Sequence, residues 1–95
     1  MTERTNYDRA MSAFRAVRTY AEDTRLDKDE VNKIREAVEF EDPAALGAEW
    51  VYELVSDLVS DLFHLGRGVG VEPDEIVHGA QIHFEAEVAE EDGDD

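Results

Sequence analysis

Apolar residues recur at steps of three and four positions along most of this chain, which is the spacing of amphipathic α-helices. The pattern predicts four helices, at about residues 6–22, 28–40 and 43–65 and from Pro73 onward. The third helix is expected to be the longest. The sequence therefore predicts an all-α fold, a small four-helix domain.

Capping residues and glycines mark the predicted helix ends. Thr5 followed by Asp8 resembles a capping box for the first helix, and Asp27 is expected to cap the second. Asp42 and Pro43 are expected to be the N-cap and the first residue of the third helix, because proline is favoured at that position. Three glycines are expected to end this helix, namely Gly66, Gly68 and Gly70.

The C-terminal part of the chain permits two interpretations. Between residues 81 and 88, apolar residues such as Ile82 and Phe84 alternate with polar ones, which is the period of a half-buried strand. We expect a helix here, with an α+β fold that carries a short C-terminal strand around 81–88 as the alternative. The domain is expected to span residues 1–89, and the acidic residues 90–95 to form a disordered tail.

The predicted apolar stripes are larger than one thin helical bundle can bury, which indicates a homodimer. Trp50 and Tyr52 lie near the start of the third helix on different faces, so at least one of them is available for an interface. The stripe of this helix consists of Val51, Leu54, Val55, Leu58, Leu62 and Leu65.

The charge of the chain changes how its carboxylates are interpreted. Its 95 residues include 25 Asp and Glu against 9 Lys and Arg, for a net charge of −16, and only two of the cations are lysines. This composition resembles proteins of salt-accumulating archaea, in which screening over about 3 Å at molar salt suppresses repulsion between carboxylates. Acids are then the default surface residues, and only carboxylates that converge on one point indicate a site.

Composition also excludes several classes of function. The chain has no cysteine, so it has neither a disulfide nor a thiolate metal site. A polyanionic chain is not expected to bind nucleic acid or an anionic membrane surface. Its apolar runs are much shorter than the roughly 20 residues of a membrane span, and no signal-peptide pattern opens it, so we expect a cytoplasmic protein.

Two sets of carboxylates are candidate metal ligands. On the third helix, Glu53, Asp57 and Asp61 follow each other at steps of four and form one slanting row. On the second helix, Glu36 and Glu39 form an E-x-x-E pair on one face. If these helices pack together, the oxygens suit Mg²⁺, which prefers oxygen ligands and often bridges phosphates.

From Glu53 onward the chain runs ELVSDLVSDLFHLGRGVGVEPDEIVHGAQIHFE. An acidic pair on a long helix, a Glu-Pro-Asp-Glu turn and a final His-Phe-Glu segment resemble the C-terminal half of MazG-type nucleoside triphosphate pyrophosphohydrolases. The acidic pair departs from the E-x-x-D pattern of that superfamily, because Glu53 and Asp57 are four positions apart.

The resemblance implies an all-α oligomer that uses Mg²⁺ to cleave a nucleotide between its α and β phosphates. Glu36, Glu39, Glu53, Asp57 and Asp61 are then the expected metal ligands. Arg15 and Arg18 are expected to hold the substrate phosphate, since guanidinium groups pair with phosphate through two hydrogen bonds. The alternatives are a relative that has lost the activity, and a non-catalytic homodimeric interaction or regulatory module without a ligand site.

Overall fold

The structure, a computed structural model, describes residues 4–92. The elements are α1 (Asn6–Thr24), α2 (Lys28–Glu39), a short 3₁₀ turn (Pro43–Leu46), α3 (Ala48–Gly68) and α4 (Pro73–Asp92). No strand occurs among residues 4–92, so the prediction of an all-α fold with four helices is confirmed. With 21 residues, α3 is one residue longer than α4.

The predicted caps of the first two helices are confirmed. The Thr5 hydroxyl accepts from the Asp8 amide at 3.0 Å, and the Asp8 carboxylate accepts from the Thr5 amide at 3.1 Å. These hydrogen bonds, first to the backbone and then to the side chain of Thr5, hold the pKa of Asp8 below its usual value. Asp27 caps α2 by accepting from the amides of Asp29 and Glu30.

The prediction that Pro43 opens one long helix is wrong. Residues 43–46 form a separate 3₁₀ turn, and the side chain of Asp42 makes no capping hydrogen bond. Gly47 then adopts φ 84° and ψ 148°, a backbone conformation that is essentially restricted to glycine. Because this conformation interrupts the helix, α3 begins at Ala48 and can leave the 3₁₀ turn in a new direction.

The end of α3 lies among the three predicted glycines, but later than the predicted residue 65. Gly66 is buried inside the helix, which continues to Gly68. A β-carbon at Gly66 would lie 2.8 Å from the Ile76 Cδ1 atom and 3.2 Å from the Val71 carbonyl oxygen, so glycine permits the close approach of α4. Gly70, with φ 85°, reverses the chain after the helix.

Residues 81–88 lie inside α4, so the alternative of a C-terminal strand is wrong. In a helix, residues two apart point about 200° from each other. Ile82 and Phe84 therefore project in nearly opposite directions, and both are exposed. The helix also includes residues 90–92 of the predicted acidic tail, whereas residues 93–95 lie outside the described range, so the boundary at residue 89 remains a prediction.

The core lies mainly between α1 and α2. Of the nine buried hydrophobic residues between positions 4 and 92, eight belong to these two helices, and α3 contributes Leu54. The Cα radius of gyration is 15.1 Å, compared with about 12 Å for a compact domain of this length. The protomer is therefore more open than its size requires. The buried hydrophobic residues are Met11, Phe14, Val17, Ala21, Val31, Ile34, Ala37, Val38 and Leu54.

Among the described residues, no helix combines the length and the apolar character that crossing a membrane requires.

Candidate functional site

The apolar residues of α3 divide into an inward and an outward face. Leu54 is 1% exposed and belongs to the core, with Trp50 and Leu58 packed against it. On the outward face, Tyr52 is 74% exposed and Val55 is 43% exposed. The apolar stripe that the sequence predicts for α3 is therefore wider than the surface that the neighbouring helices cover.

The outward face forms a shallow groove of about 860 Å³ that runs from Pro43 to Phe63. The eleven residues of the described chain that line it are all uncharged. More than a quarter of the residues in this chain are acids, yet Glu53, Asp57 and Asp61 all lie outside the groove. A large uncharged surface on so acidic a protein makes this groove the candidate binding surface.

A second cavity, of about 300 Å³, adjoins the groove between α1 and α3. Its nine lining residues are all apolar, and they include Phe14 and Val17 of α1. Pro43, Val51 and Val55 line both the cavity and the groove, so the two form one continuous apolar surface. Part of the α1–α3 contact is therefore open to an additional side chain.

The outward residues of α3 follow the spacing of a helix–helix seam. Ala48, Tyr52, Val55, Val59 and Leu62 succeed one another at steps of four, three, four and three. This is the alternation of a and d positions in a coiled coil, whose apolar residues repeat on average every 3.5 positions. Val55 and Leu62 belong to the predicted apolar stripe of this helix and Tyr52 is a predicted interface residue, whereas the heptad that joins them to Ala48 and Val59 is visible in the spacing but is not among the predictions.

Asp57 and Asp61, two of the predicted metal ligands, interact instead with α1 and the residue that follows it. The Arg25 guanidinium lies 3.3 Å from an Asp57 carboxylate oxygen, and it also contacts Glu30 at 3.4 Å. The Tyr20 hydroxyl donates to the Asp61 carboxylate and lies 3.3 Å from the Asp57 carbonyl oxygen. Nothing in the linear sequence associates Tyr20 or Arg25 with these acids, because the contacts depend on how α1 packs on α3.

The hydrogen bond to Asp61 raises the pKa of Tyr20 to about 12, with smaller contributions from burial and from the charges of Asp61 and Asp57. The phenol therefore remains a proton donor over the whole physiological range. This pair and the Arg25–Asp57 pair hold the polar side of α3 against the C-terminal part of α1. They orient the opposite, apolar side of α3 toward solvent.

The other predicted ligands lie on different parts of the surface. Glu36 lines a hollow of about 400 Å³ together with Phe40 and Trp50. Glu53 lines a separate hollow that also includes Trp50, and Glu39 is exposed at the end of α2. Within the part of the chain that the structure describes, no three His, Asp or Glu side chains are grouped so that they could hold a metal ion. The magnesium site remains a prediction.

The two arginines predicted to bind phosphate make local contacts along α1. Arg15 donates to the Ser12 hydroxyl at 3.1 Å, and the Arg18 Nε atom lies 3.8 Å from a Glu22 carboxylate oxygen. The structure thus links the α3 carboxylates to Arg25 rather than to Arg15 or Arg18. The phosphate-binding role of these two residues remains a prediction.

The fourth helix is attached mainly by contacts near its two ends. No residue from Pro73 to Glu91 is buried. Ile76 packs on Gly66 at one end, and at the other the Arg9 Nε atom lies 2.7 Å from a Glu87 carboxylate oxygen. The Asn6 side chain adds hydrogen bonds to Glu87 and Glu91. This attachment leaves the outward groove of α3 uncovered.

Comparisons of the chain with protein-family models, with curated proteins and with solved structures find no significant match. The site is therefore interpreted from its own geometry.

Proposed function

We propose that this chain is a non-catalytic helical interaction module that functions as a homodimer, with the outward groove of α3 as its binding surface. The observation that carries the proposal is the uncharged groove of about 860 Å³ on a chain of net charge −16. Elsewhere the surface is rich in carboxylates that keep molecules apart. The groove is a region where two copies can approach without bringing like charges together.

Apolar burial provides the driving force for this association. Tyr52 and Val59 are 74% and 37% exposed in the protomer, and aromatic residues contribute strongly to interfaces. Repulsion between two chains of charge −16 opposes association at long range. Because the Debye length falls from about 10 Å at 0.1 M salt to about 3 Å at 1 M, we expect tighter dimers at molar KCl.

Sedimentation equilibrium in low and molar KCl tests the proposal. We expect a dimer for the natural sequence and a loss of affinity of at least about tenfold for Val59→Glu, equivalent to about 1.4 kcal/mol. The matched control is Val77→Glu, since Val77 is 48% exposed but lies on α4. Circular dichroism shows whether each variant stays helical. A monomer at molar KCl, or equal effects of the two substitutions, would contradict the proposal.

A nucleotide pyrophosphohydrolase is the second candidate. It is favoured by the helix–turn–helix of α3 and α4, in which Pro73 opens the last helix within the region of resemblance. Pyrophosphate release from nucleoside triphosphates with Mg²⁺ at molar KCl tests this activity. Release that exceeds that of the Glu53→Gln/Asp57→Asn double variant would support the enzyme, and equal release would exclude these two carboxylates as its metal ligands.

A further inference from the structure

We infer that two copies of the chain pair through antiparallel α3 helices, with Tyr52 of one copy facing Leu62 of the other and Val55 facing Val59. The inference rests on the proposed function and adds the orientation and register of its interface. The heptad spacing of the outward face supplies the first argument, because a and d residues that alternate in this way pack into the holes of a facing helix.

Charge favours the antiparallel orientation. The first turn of α3 carries Glu49 and its last turn carries Arg67. Antiparallel pairing brings Glu49 of each copy toward Arg67 of the other, whereas parallel pairing places the two Glu49 residues together. The helix dipoles also attract in the antiparallel arrangement and repel in the parallel one.

The packing of a and d residues also determines the register of the two helices. In an antiparallel pair, a residues of one helix face d residues of the other. When Tyr52 faces Leu62, Val55 faces Val59, and the seam ends before Gly66, on which Ile76 of α4 packs. Every residue pair then occurs twice about a two-fold axis near residue 57, as an isologous interface requires. The carboxylates of Glu53 and Asp61 project away from the seam and remain solvated.

The apolar cavity between α1 and α3 gives this register a further consequence. Val51 and Val55 border the cavity and the groove alike. Leu62, which is 43% exposed in the protomer, lies at the level of these valines when it belongs to the second copy. The pairing therefore directs one leucine of each copy to the mouth of the cavity in the other.

Disulfide cross-linking tests the orientation, and the natural chain is suited to it because it contains no cysteine. Tyr52→Cys and Leu62→Cys proteins are prepared separately, one with a mass tag, then mixed and oxidised at molar KCl. We expect the mixed disulfide to predominate over the two self-linked products. Val55→Cys with Val59→Cys repeats the test without loss of the tyrosine. Glu53→Cys with Asp61→Cys is the matched control on the other face, and we expect background linking only.

Different results overturn different claims. If each variant links only with itself, the pairing is parallel and the inference is wrong, although the homodimer stands. If Tyr52→Cys links with Val55→Cys in preference to Leu62→Cys, the register is wrong. If sedimentation shows no dimer of the natural chain, the proposed function fails before the orientation is tested.

Discussion

The first two helices bury their apolar stripes, whereas the last two leave most of theirs in solvent. α1 and α2 contribute eight of the nine buried apolar residues, including Ile34 at 0% exposure. In α3, Leu54 is buried while Tyr52 is 74% exposed, and in α4 no residue from Pro73 to Glu91 is buried. The core that stabilises the fold therefore lies in the first half of the chain, whereas the second half exposes apolar surface to solvent.

The two halves should differ most in how much stability is lost when an apolar side chain is removed. We expect Ile34→Ala to lower the free energy of unfolding by about 2–5 kcal/mol, because it leaves a cavity in a packed core. Phe84→Ala on α4 should change it by no more than about 0.5 kcal/mol, since Phe84 is 65% exposed. Urea unfolding at constant KCl measures both. Equal losses would show that α4 is packed as well as α2.

Two glycines test how closely α4 packs on α3. Replacing each with alanine should change the stability of the protein in opposite directions. Gly66→Ala should lower the free energy of unfolding by about 1 kcal/mol, since the added β-carbon meets the Ile76 side chain and the Val71 carbonyl oxygen. Gly79→Ala should stabilise by roughly 0.5–1 kcal/mol, since a β-carbon at Gly79 meets no atom within 4 Å. Thermal unfolding followed by circular dichroism compares them. A gain in stability from Gly66→Ala would indicate that α4 does not depend on this close approach.

The ion pair between Arg9 and Glu87 tests how firmly α4 is held on α1. Both side chains are about one-third exposed, so we expect a coupling energy of only about 0.2–1 kcal/mol. A double-mutant cycle with Arg9→Met and Glu87→Gln measures this energy. Repeating the cycle at molar KCl should reduce it through screening. A coupling that is larger at high salt would be inconsistent with a surface ion pair.

The smallest expected effect concerns the capping box at the start of α1. The pKa of Asp8 is lowered in the folded protein, so its stabilising contribution is present above the ordinary value of 3.8 and is lost as pH falls through the folded-state pKa. The difference in unfolding midpoint between the natural chain and Asp8→Ala should therefore shrink in strong acid. Thr5→Ala should remove only part of this pH dependence, because the Thr5 amide still donates to Asp8. A difference in unfolding midpoint that does not change with pH would contradict the stabilising role of the ionised Asp8 carboxylate.

The sequence predicts the local features of the fold well because they depend on neighbouring residues. Thr5, Asp8 and Asp27 cap their helices as expected, since a capping hydrogen bond spans only two or three positions. Asp42 and Pro43 do not open α3 as predicted, because the backbone conformation of Gly47 interrupts the helix that they would begin. The alternation in residues 81–88 predicts a strand only when a neighbouring strand is available, and among residues 4–92 there is none.

The candidate site was less predictable from sequence. The carboxylate row of α3 was identified correctly as a row, but its interactions with Tyr20 and Arg25 depend on contacts across more than 30 positions of the chain. Among the outward residues of α3, Val55 and Leu62 belong to the predicted apolar stripe, and Tyr52 is a predicted interface residue. Their separation from the core residues depends on which side α1 covers.

The approximate positions of the helices, the caps of the first two and the acidic character of the surface can all be predicted from the sequence. These properties follow from side-chain spacing, local hydrogen bonds and composition. Only the tertiary structure decided which apolar residues of α3 are buried. A helix whose apolar arc covers about half its circumference can turn any part of that arc toward its neighbours, and here the packing of α1 on Leu54 leaves Tyr52, Val55 and Val59 facing outward.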